Sequence, residues 1–289
     1  MRAIPVGLVA PVVTAVPGMH ADWETTADVA DLVEIVGSAD RLGFDFVTCS
    51  EHVAVPAEAA EKRGGTYWDP LATLSYLACA TTRIRLLPYV LVLGYSHPLA
   101  LAKRYGTLDL LSGGRVTLGL GVGSLEEEFA LLEAPFVDRG LRADDALRAL
   151  RAAMSTRSPS YDGDHYAFGG VVVDPHAVQP HVPFWIGGQG ERSLRRAVEL
   201  ADGWAPFGLR AADAASLLGR VDLPDVFDVV LPVGPLDPLD APERTAARIG
   251  QAQEAGATRI AASIRSTSSQ HYRDQLQALA ELPEMAAAA

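Results

Sequence analysis

Cysteine is almost missing from this chain of 289 residues: Cys49 and Cys79 are the only two, and they stand outside any CxxC spacing. That scarcity argues against a disulfide framework and a thiolate zinc site, and it fits a reducing cytoplasm. Basic residues are also outnumbered. Lys and Arg total 24 against 36 Asp and Glu, a net charge of −12 with pI near 5.0, and a balance of that sign repels phosphodiester backbones and anionic lipid surfaces. Nucleic acid and membrane are therefore not expected as partners. The start, Met1-Arg2-Ala3-Ile4-Pro5, leads into a short apolar run broken by prolines. Neither a signal-peptide core nor an apolar stretch of about 18 residues is present, so no export or membrane-spanning segment is expected. Metal-hydrolase patterns are lacking too, with no HxH on the first strand and no HExxH on a helix. His176 and His181 merely flank Gln179-Pro180, and no metal site is expected.

What the chain does have is apolar material, 49% of residues against 21% charged, enough for one large core and without a signature of disorder. Short Val/Ile/Leu-rich runs alternate with longer amphipathic segments, the pattern of βα units around a parallel sheet. Eight such runs are expected as strands: Ile4 to Ala10, Phe44 to Cys49, Ile84 to Leu93, Val116 to Val122, Pro183 to Ile186, Gly203 to Phe207, Phe227 to Val233 and Thr258 to Ile264. Between them, helical spacing is read over Ala27 to Leu42, Asp69 to Ala80, His97 to Leu111, Arg192 to Leu200, Ala211 to Leu218 and Pro242 to Ala255. His271 to Leu282 reads as the closing helix. Glu126 to Met154 is helical except near Pro135 and Gly140, and leads to an insertion at about 157–183, where Asp162-Gly163 resembles a hairpin turn. No linker divides residues 1–289, and the length suits one α/β domain, a (β/α)8 TIM barrel of roughly 250 residues plus a small hairpin insertion before the fifth strand.

In such a barrel the chemistry comes from loops at the C-terminal strand ends, and four of these are unusual. Ser50-Glu51-His52 ends the second strand with a carboxylate and an imidazole, suited to proton transfer or to hydrogen bonding a cofactor; the plainer alternative is that they only tie the loop to a neighbouring helix. Leu93-Gly94-Tyr95-Ser96-His97-Pro98 offers Tyr95 and His97 as polar handles beside a glycine, although Pro98 also fits an ordinary helix start. Gly119-Leu120-Gly121-Val122-Gly123-Ser124 lacks the GxGxxG spacing of a dinucleotide loop, and the three carboxylates that follow, Glu126 to Glu128, repel a phosphate. These glycines read as room for a flat ring. Gly187-Gly188-Gln189-Gly190, with Arg192, Arg195 and Arg196 beyond it, presents bare N–H groups at a helix start and is the best phosphate site, or else a common glycine-rich turn. Tyr67, Trp68, Tyr95 and Phe207 are candidates for an apolar substrate pocket, though aromatics near strand ends are more often core.

Taken in order, these segments resemble the luciferase-like monooxygenase superfamily. The resemblance rests on Leu42-Gly43-Phe44-Asp45 with Ser50-Glu51-His52, Ser96-His97-Pro98-Leu99, Leu108-Asp109-Leu110-Leu111-Ser112-Gly113-Gly114-Arg115, the glycine-rich fourth strand with Glu127-Glu128-Phe129, Pro183 to Gly188, and Ala201-Asp202-Gly203-Trp204. It implies a barrel that carries FMN or the deazaflavin coenzyme F420, with the ring against the third and fourth strands and the phosphate after the fifth. By the same resemblance Leu93 and Gly94 form a strand-end bulge behind the ring, often through a cis peptide, and Leu125 stands where members often carry Trp. The implied cofactor set is Ser50, His52, Leu93, Gly94, Gly121, Gly123, Ser124, Gly187, Gly188, Gln189 and Gly190, with His52, Glu51 and Tyr95 as candidate catalytic groups. Val171 to Pro175 and Gln179-Pro180 look closest to the F420-dependent actinobacterial-type members. Their activity is hydride transfer to or from a small organic substrate. Two alternatives stand beside it: an FMN-dependent monooxygenase supplied by a partner flavin reductase, and a catalytically silent barrel whose mouth is filled by Trp185, Trp204 or the insertion. The resemblance also suggests a homodimer through barrel helices.

Overall fold

The structure is a computed structural model that describes residues 3–286. The first half of the chain runs through β1 (Ile4–Leu8), β2 (Thr14–Ala15), α1 (Val29–Leu42), β3 (Phe46–Cys49), α2 (Ala57–Arg63), β4 (Thr66–Tyr67), α3 (Pro70–Ala80), β5 (Arg85–Pro88), β6 (Leu91–Val92), α4 (Pro98–Ser112) and β7 (Leu118–Gly121). The second half continues with α5 (Glu126–Leu131), α6 (Arg139–Met154), β8 (Tyr161–Asp162), β9 (Ala167–Phe168), β10 (Phe184–Ile186), α7 (Glu191–Leu200), β11 (Gly203–Trp204), α8 (Ala211–Leu218), β12 (Asp228–Leu236), α9 (Pro242–Glu254), β13 (Arg259–Ile264), α10 (Ser269–Ala280) and β14 (Met285–Ala286). Among the described residues no helix is long and apolar enough to cross a membrane.

The strands line up as β5-β3-β1-β13-β12-β11-β10-β7-β6, every neighbouring pair parallel. A further parallel bridge, Leu86 to Val116, brings β5 against the chain entering β7. The sheet therefore closes as the expected (β/α)8 barrel, with β5 and β6 as two halves of its third strand. That is one correction to the sequence reading: Ile84 to Leu93 is not continuous, because the chain leaves the ladder at Tyr89-Val90 and re-enters it at Leu91. A second concerns the insertion. Its hairpin is present, but Asp162 belongs to β8 and pairs with Ala167, so residues 163–166 make the turn rather than Asp162-Gly163 alone. The sequence reading also passed over α2 and the small antiparallel pair β2–β4, which lie between barrel units. At the other end of the chain Ala286, in β14, pairs with Pro5 of β1, and 287–289 lie outside the described residues.

Local signals explain the helix ends. Asp28 caps α1 by accepting from the N–H groups of Ala30 and Asp31, and Gly43 stops it in the left-handed region at φ 80°. Between these ends Leu32, Ile35, Val36 and Ala39 are buried at helical spacing, and each large apolar side chain so removed from water contributes about 1.5–3 kcal/mol. The insertion lies along α4, where the Asp109 carboxylate accepts from the N–H groups of Val178 and Gln179 and from the Gln179 amide.

The barrel interior holds Phe46, Leu87, Trp185, Ala205, Val230 and Ala261, with Phe46 and Trp185 edge to face at 5.4 Å. Below them, at the N-terminal strand ends, is a charged floor. Asp45 accepts from Arg85 and Arg259 at 2.7 Å each, Arg259 also donates to Asp228 at 2.8 Å, and both guanidinium groups face the Trp185 ring. Each of these residues stands just before or at the first position of its strand, so closure gathers them at one end. Removing one partner from a largely buried network strands the others. Asp45→Ala is expected to lower the unfolding free energy by about 3 kcal/mol, read as a lower midpoint in urea; an unchanged midpoint would show that the floor does not hold the barrel together.

Candidate active site

The opposite end is the barrel mouth. After β3 the chain turns inward, and the Glu51 carboxylate accepts from the N–H of Val92, on β6, at 2.6 Å. Burial pushes its carboxyl up to about 7, helped by the charges of Asp69 and Glu128 and opposed by the Val92 hydrogen bond. Glu51 is thus poised to exchange a proton near neutrality.

His52 is held on two sides. Its ring meets Tyr67 edge-on at 4.5 Å, and its Nδ1 lies 2.7 Å from Oε2 of Glu128. The Glu128 side chain is fully buried. Oε1 accepts from the N–H groups of Val53 at 2.6 Å and Ala54 at 3.2 Å, and Oε2 also accepts from the Tyr95 hydroxyl at 2.9 Å. Burial alone raises a carboxyl; here the bonds from His52, Tyr95, Ala54 and Val53 outweigh it and hold Glu128 below the usual range. Burial and the bond to Glu128 push the Tyr95 phenol well above its ordinary value, so Tyr95 serves as a donor.

The structure therefore brings together the three candidate catalytic groups, Glu51, His52 and Tyr95, and adds Glu128 at their centre. Sequence reading treated Glu128 as one of three carboxylates at a helix start. A signal was available: Leu125, Glu128, Phe129 and Leu132 share one helical face by i, i+3, i+4, i+7 spacing, which puts Glu128 among apolar neighbours. Of the pocket aromatics, Tyr67 and Tyr95 join this cluster, Phe207 is half exposed, and Trp68 packs on the main core.

The glycines have a different role from the one expected. A Cβ on Gly94 or Gly123 would come within 2.5 Å of the Phe129 ring, one on Gly121 or Gly187 within 2.8 Å of the Val90 side chain, and one on Gly119 within 2.5 Å of the Pro88 carbonyl oxygen. On the side where a Cβ would stand, the room they leave is taken by Phe129 and by the excursion of the third strand. The strand-end bulge is likewise displaced from Leu93-Gly94: the non-proline cis peptide is Tyr89-Val90, whereas Leu93 is buried and donates its N–H to Gly121. Ser50 is half-buried above β3, and Ser124 is exposed on a cleft of about 500 Å³ that it shares with Lys62, Arg63, Leu125 and Phe136.

After β10, Gly188 takes φ 110°, a conformation that favours glycine, and its carbonyl accepts from Trp204 Nε1 at 3.1 Å. The Gln189 amide donates to the Phe207 carbonyl. Helix α7 then starts at Gly190 without a side-chain cap, and among the described residues the N–H groups of Gly188 through Arg192 donate to no protein acceptor. Arg195 is paired with Glu191, and Arg196 with Asp144, which leaves Arg192 exposed beside the turn. The donors on offer here are chiefly backbone.

Trp185 and Trp204, whose packing into the mouth would mark a silent barrel, lie in the interior and behind the 188–193 turn, and the insertion lies along α4. Tyr89 instead roofs the interior, its hydroxyl donating to the carbonyls of Ala205 and Pro206 at 2.8 Å. Among the described residues no group of three or more His, Cys, Asp or Glu has the arrangement to hold a metal ion.

A parallel (β/α)8 barrel with titratable groups gathered at its C-terminal mouth is the architecture of a barrel enzyme. The luciferase-like monooxygenase family matches residues 6–222, and the chain belongs to that family, whose members make it an oxidoreductase or monooxygenase. An uncharacterized protein of Mycobacterium tuberculosis is 31% identical over 220 residues, 68% of this chain and 77% of that one. Another protein of the same organism, whose name proposes a coenzyme F420-dependent oxidoreductase, is 30% identical over 186 residues, 60% of this chain and 50% of that one. Two solved structures share the fold. The monooxygenase RslO1 of Streptomyces bottropensis superposes with a TM-score of 0.72 at 19% identity, covering 96% of this chain and 98% of that one. The coenzyme F420-dependent tetrahydromethanopterin reductase of Methanopyrus kandleri gives 0.72 at 15% identity, with 97% and 98% covered.

The raised Glu51 carboxyl has a measurable sign. A group that binds its proton more tightly in the folded state costs stability as pH rises from its unfolded value, near 4.5, through about 7. Glu51→Gln keeps the acceptor for Val92 but removes the titration, so its stability relative to the parent is expected to improve between pH 5 and pH 8. Urea unfolding of both proteins at the two pH values checks this; a constant difference removes the buried, titrating Glu51.

Proposed function

We propose that the protein is an oxidoreductase that binds the deazaflavin coenzyme F420 and moves a hydride to or from a small organic substrate. The observation that carries this is the uncapped start of α7, with five consecutive N–H groups unused beside the mouth and open space at the Gly190 Cβ position. Unused amides at a helix N-terminus favour a phosphate. The F420-dependent name of a relative that is 30% identical supports the choice of coenzyme.

The residues present fit such a group. Gly187 to Gly190 and the α7 amides would hold its phosphate, the Tyr89-Val90 excursion would back its ring in place of Leu93-Gly94, and Ser50 and His52 would edge it. When bound, a deazaflavin accepts or releases a hydride at one ring carbon and reacts little with oxygen. The protein's own part is to orient and to manage protons. Glu51 exchanges a proton at its carboxyl near neutral pH, Tyr95 gives its hydroxyl proton to Glu128 and so steadies the cluster, and His52 presents the ring nitrogen not bound to Glu128. Val9 just after β1, the partly exposed Tyr67 and Phe207 would give the substrate apolar surface.

Fluorescence titration of the apo-protein with F420 and, separately, with FMN tests the reading. Tight binding of F420 alone is expected; preference for FMN would replace it with oxygen chemistry served by a flavin reductase, and binding of neither would leave a silent barrel. Gly190→Asp gives an independent check. Asp is a favourable helix cap, so thermal stability is expected to hold or rise, while its charge and its hold on the helix amides weaken F420 binding about tenfold or more. Unchanged affinity would remove the phosphate site from α7.

A further inference from the structure

We propose that Glu128 is a positioning residue that determines which nitrogen of His52 carries the proton, holding the Nδ1–H form and leaving Nε2 as the working atom at the mouth. The proposal rests on reading the mouth as a hydride-transfer site, since only there does the protonation pattern of His52 bear on turnover.

An ionised carboxylate can only accept, and four groups converge on Glu128 within hydrogen-bond distance: the N–H groups of Val53 and Ala54, the Tyr95 hydroxyl and the His52 ring. The two amides are obligatory donors. The Tyr95 hydroxyl has its proton available, because burial and the nearby carboxylate both keep the phenol protonated. His52 Nδ1, 2.7 Å from Oε2, must then also carry a proton, or two lone pairs would face one another in a fully buried setting. The ring is fixed on its other side by the edge contact with Tyr67. The His52 side chain is 20% open to solvent, and Nε2, which has no hydrogen-bond partner among the described residues, is not one of the buried unpartnered atoms and so reaches solvent. In neutral His52, Nε2 is an acceptor; in the imidazolium it is a donor.

The carboxylate is itself held in register. Phe129, next to Glu128 on α5, fills the space left by Gly94 and Gly123, so the ends of the third and fourth barrel strands fix α5 while Glu128 ties in the loop after the second. This arrangement makes Glu128 a supporting group whose effect is exerted through His52, as an outer-shell carboxylate fixes the tautomer of a histidine.

Long-range ¹⁵N–¹H correlation spectra of the protein at pH 8 read the proton's position directly, with the His52 signals assigned by their loss in His52→Ala. The parent is expected to show His52 with a proton on Nδ1. In Glu128→Gln the carboxamide oxygen can still accept from the amides, but its NH2 group faces the ring, and the ratio is expected to move toward Nε2–H by about tenfold or more. Glu128→Asp, which keeps the charge, is expected to retain the Nδ1–H form. A parent spectrum with His52 protonated on Nε2 alone overturns the proposal even if Glu128→Gln fails to fold, and an unchanged ratio in a folded Glu128→Gln overturns it as well. F420 titration of the same samples separates the two conclusions: failure of the parent to bind F420 with the Nδ1–H form present removes the functional reading and leaves the positioning role standing.

Discussion

After Pro88 the third barrel strand leaves its hydrogen-bond ladder, and the mouth is arranged around that excursion. Tyr89 crosses to bond the carbonyls of Ala205 and Pro206, and Val90 fills space that side chains at Gly121 and Gly187 would otherwise occupy. Pairing resumes with Leu91 against Leu120, and Val92 then offers its N–H to Glu51. A continuous strand would keep Tyr89 and Val90 in the sheet, and the interior would lose its roof. Glycine on β7 and after β10 follows from the close approach of the Val90 side chain to Gly121 and Gly187 and of the Pro88 carbonyl to Gly119.

Carboxylates serve the two ends of the barrel in opposite ways. At the floor, Asp45 and Asp228 are matched by Arg85 and Arg259, and the charges are satisfied where the strands begin. At the mouth no Lys or Arg among the described residues is bonded to Glu51 or Glu128. Glu51 has one hydrogen bond and its carboxyl is pushed up to about 7; Glu128 has four and is held down. Two acids within one small region, separated in acidity by the number of donors each is given, allow one to exchange protons while the other stays charged and fixed. The floor is built for permanence and the mouth for titration.

Across the mouth, the start of α7 supplies what the acidic cluster does not. Its free amides lie after the fifth strand, whereas Glu51 and His52 lie after the second, so the unused backbone donors and the titratable groups come from separate parts of the rim. This separation would suit the coenzyme of the proposed reading, whose charged end and reactive ring are far apart. It also keeps the carboxylates of a chain with net charge −12 away from a phosphate.

The sequence by itself determined the class of fold. Eight β-rich runs separated by amphipathic helices, with Asp28 and Gly43 bounding α1 and Pro135 marking the gap between α5 and α6, are local signals that do not depend on distant contacts. The same holds for the uncapped glycine-rich turn after β10. Tertiary structure alone decided what the glycines are for, since whether the gap beside Gly121 or Gly123 holds a coenzyme, Val90 or Phe129 depends on residues that arrive from other strands and helices. It also decided the role of Glu128: a carboxylate in an acidic run looks solvated along the chain, and only barrel closure brings it the donors of residues 52–54, 74 or more positions away, and of Tyr95. Local patterning fixes which segments become strands and helices; the partners of a buried charge are set by closure, because they come from different turns of the barrel.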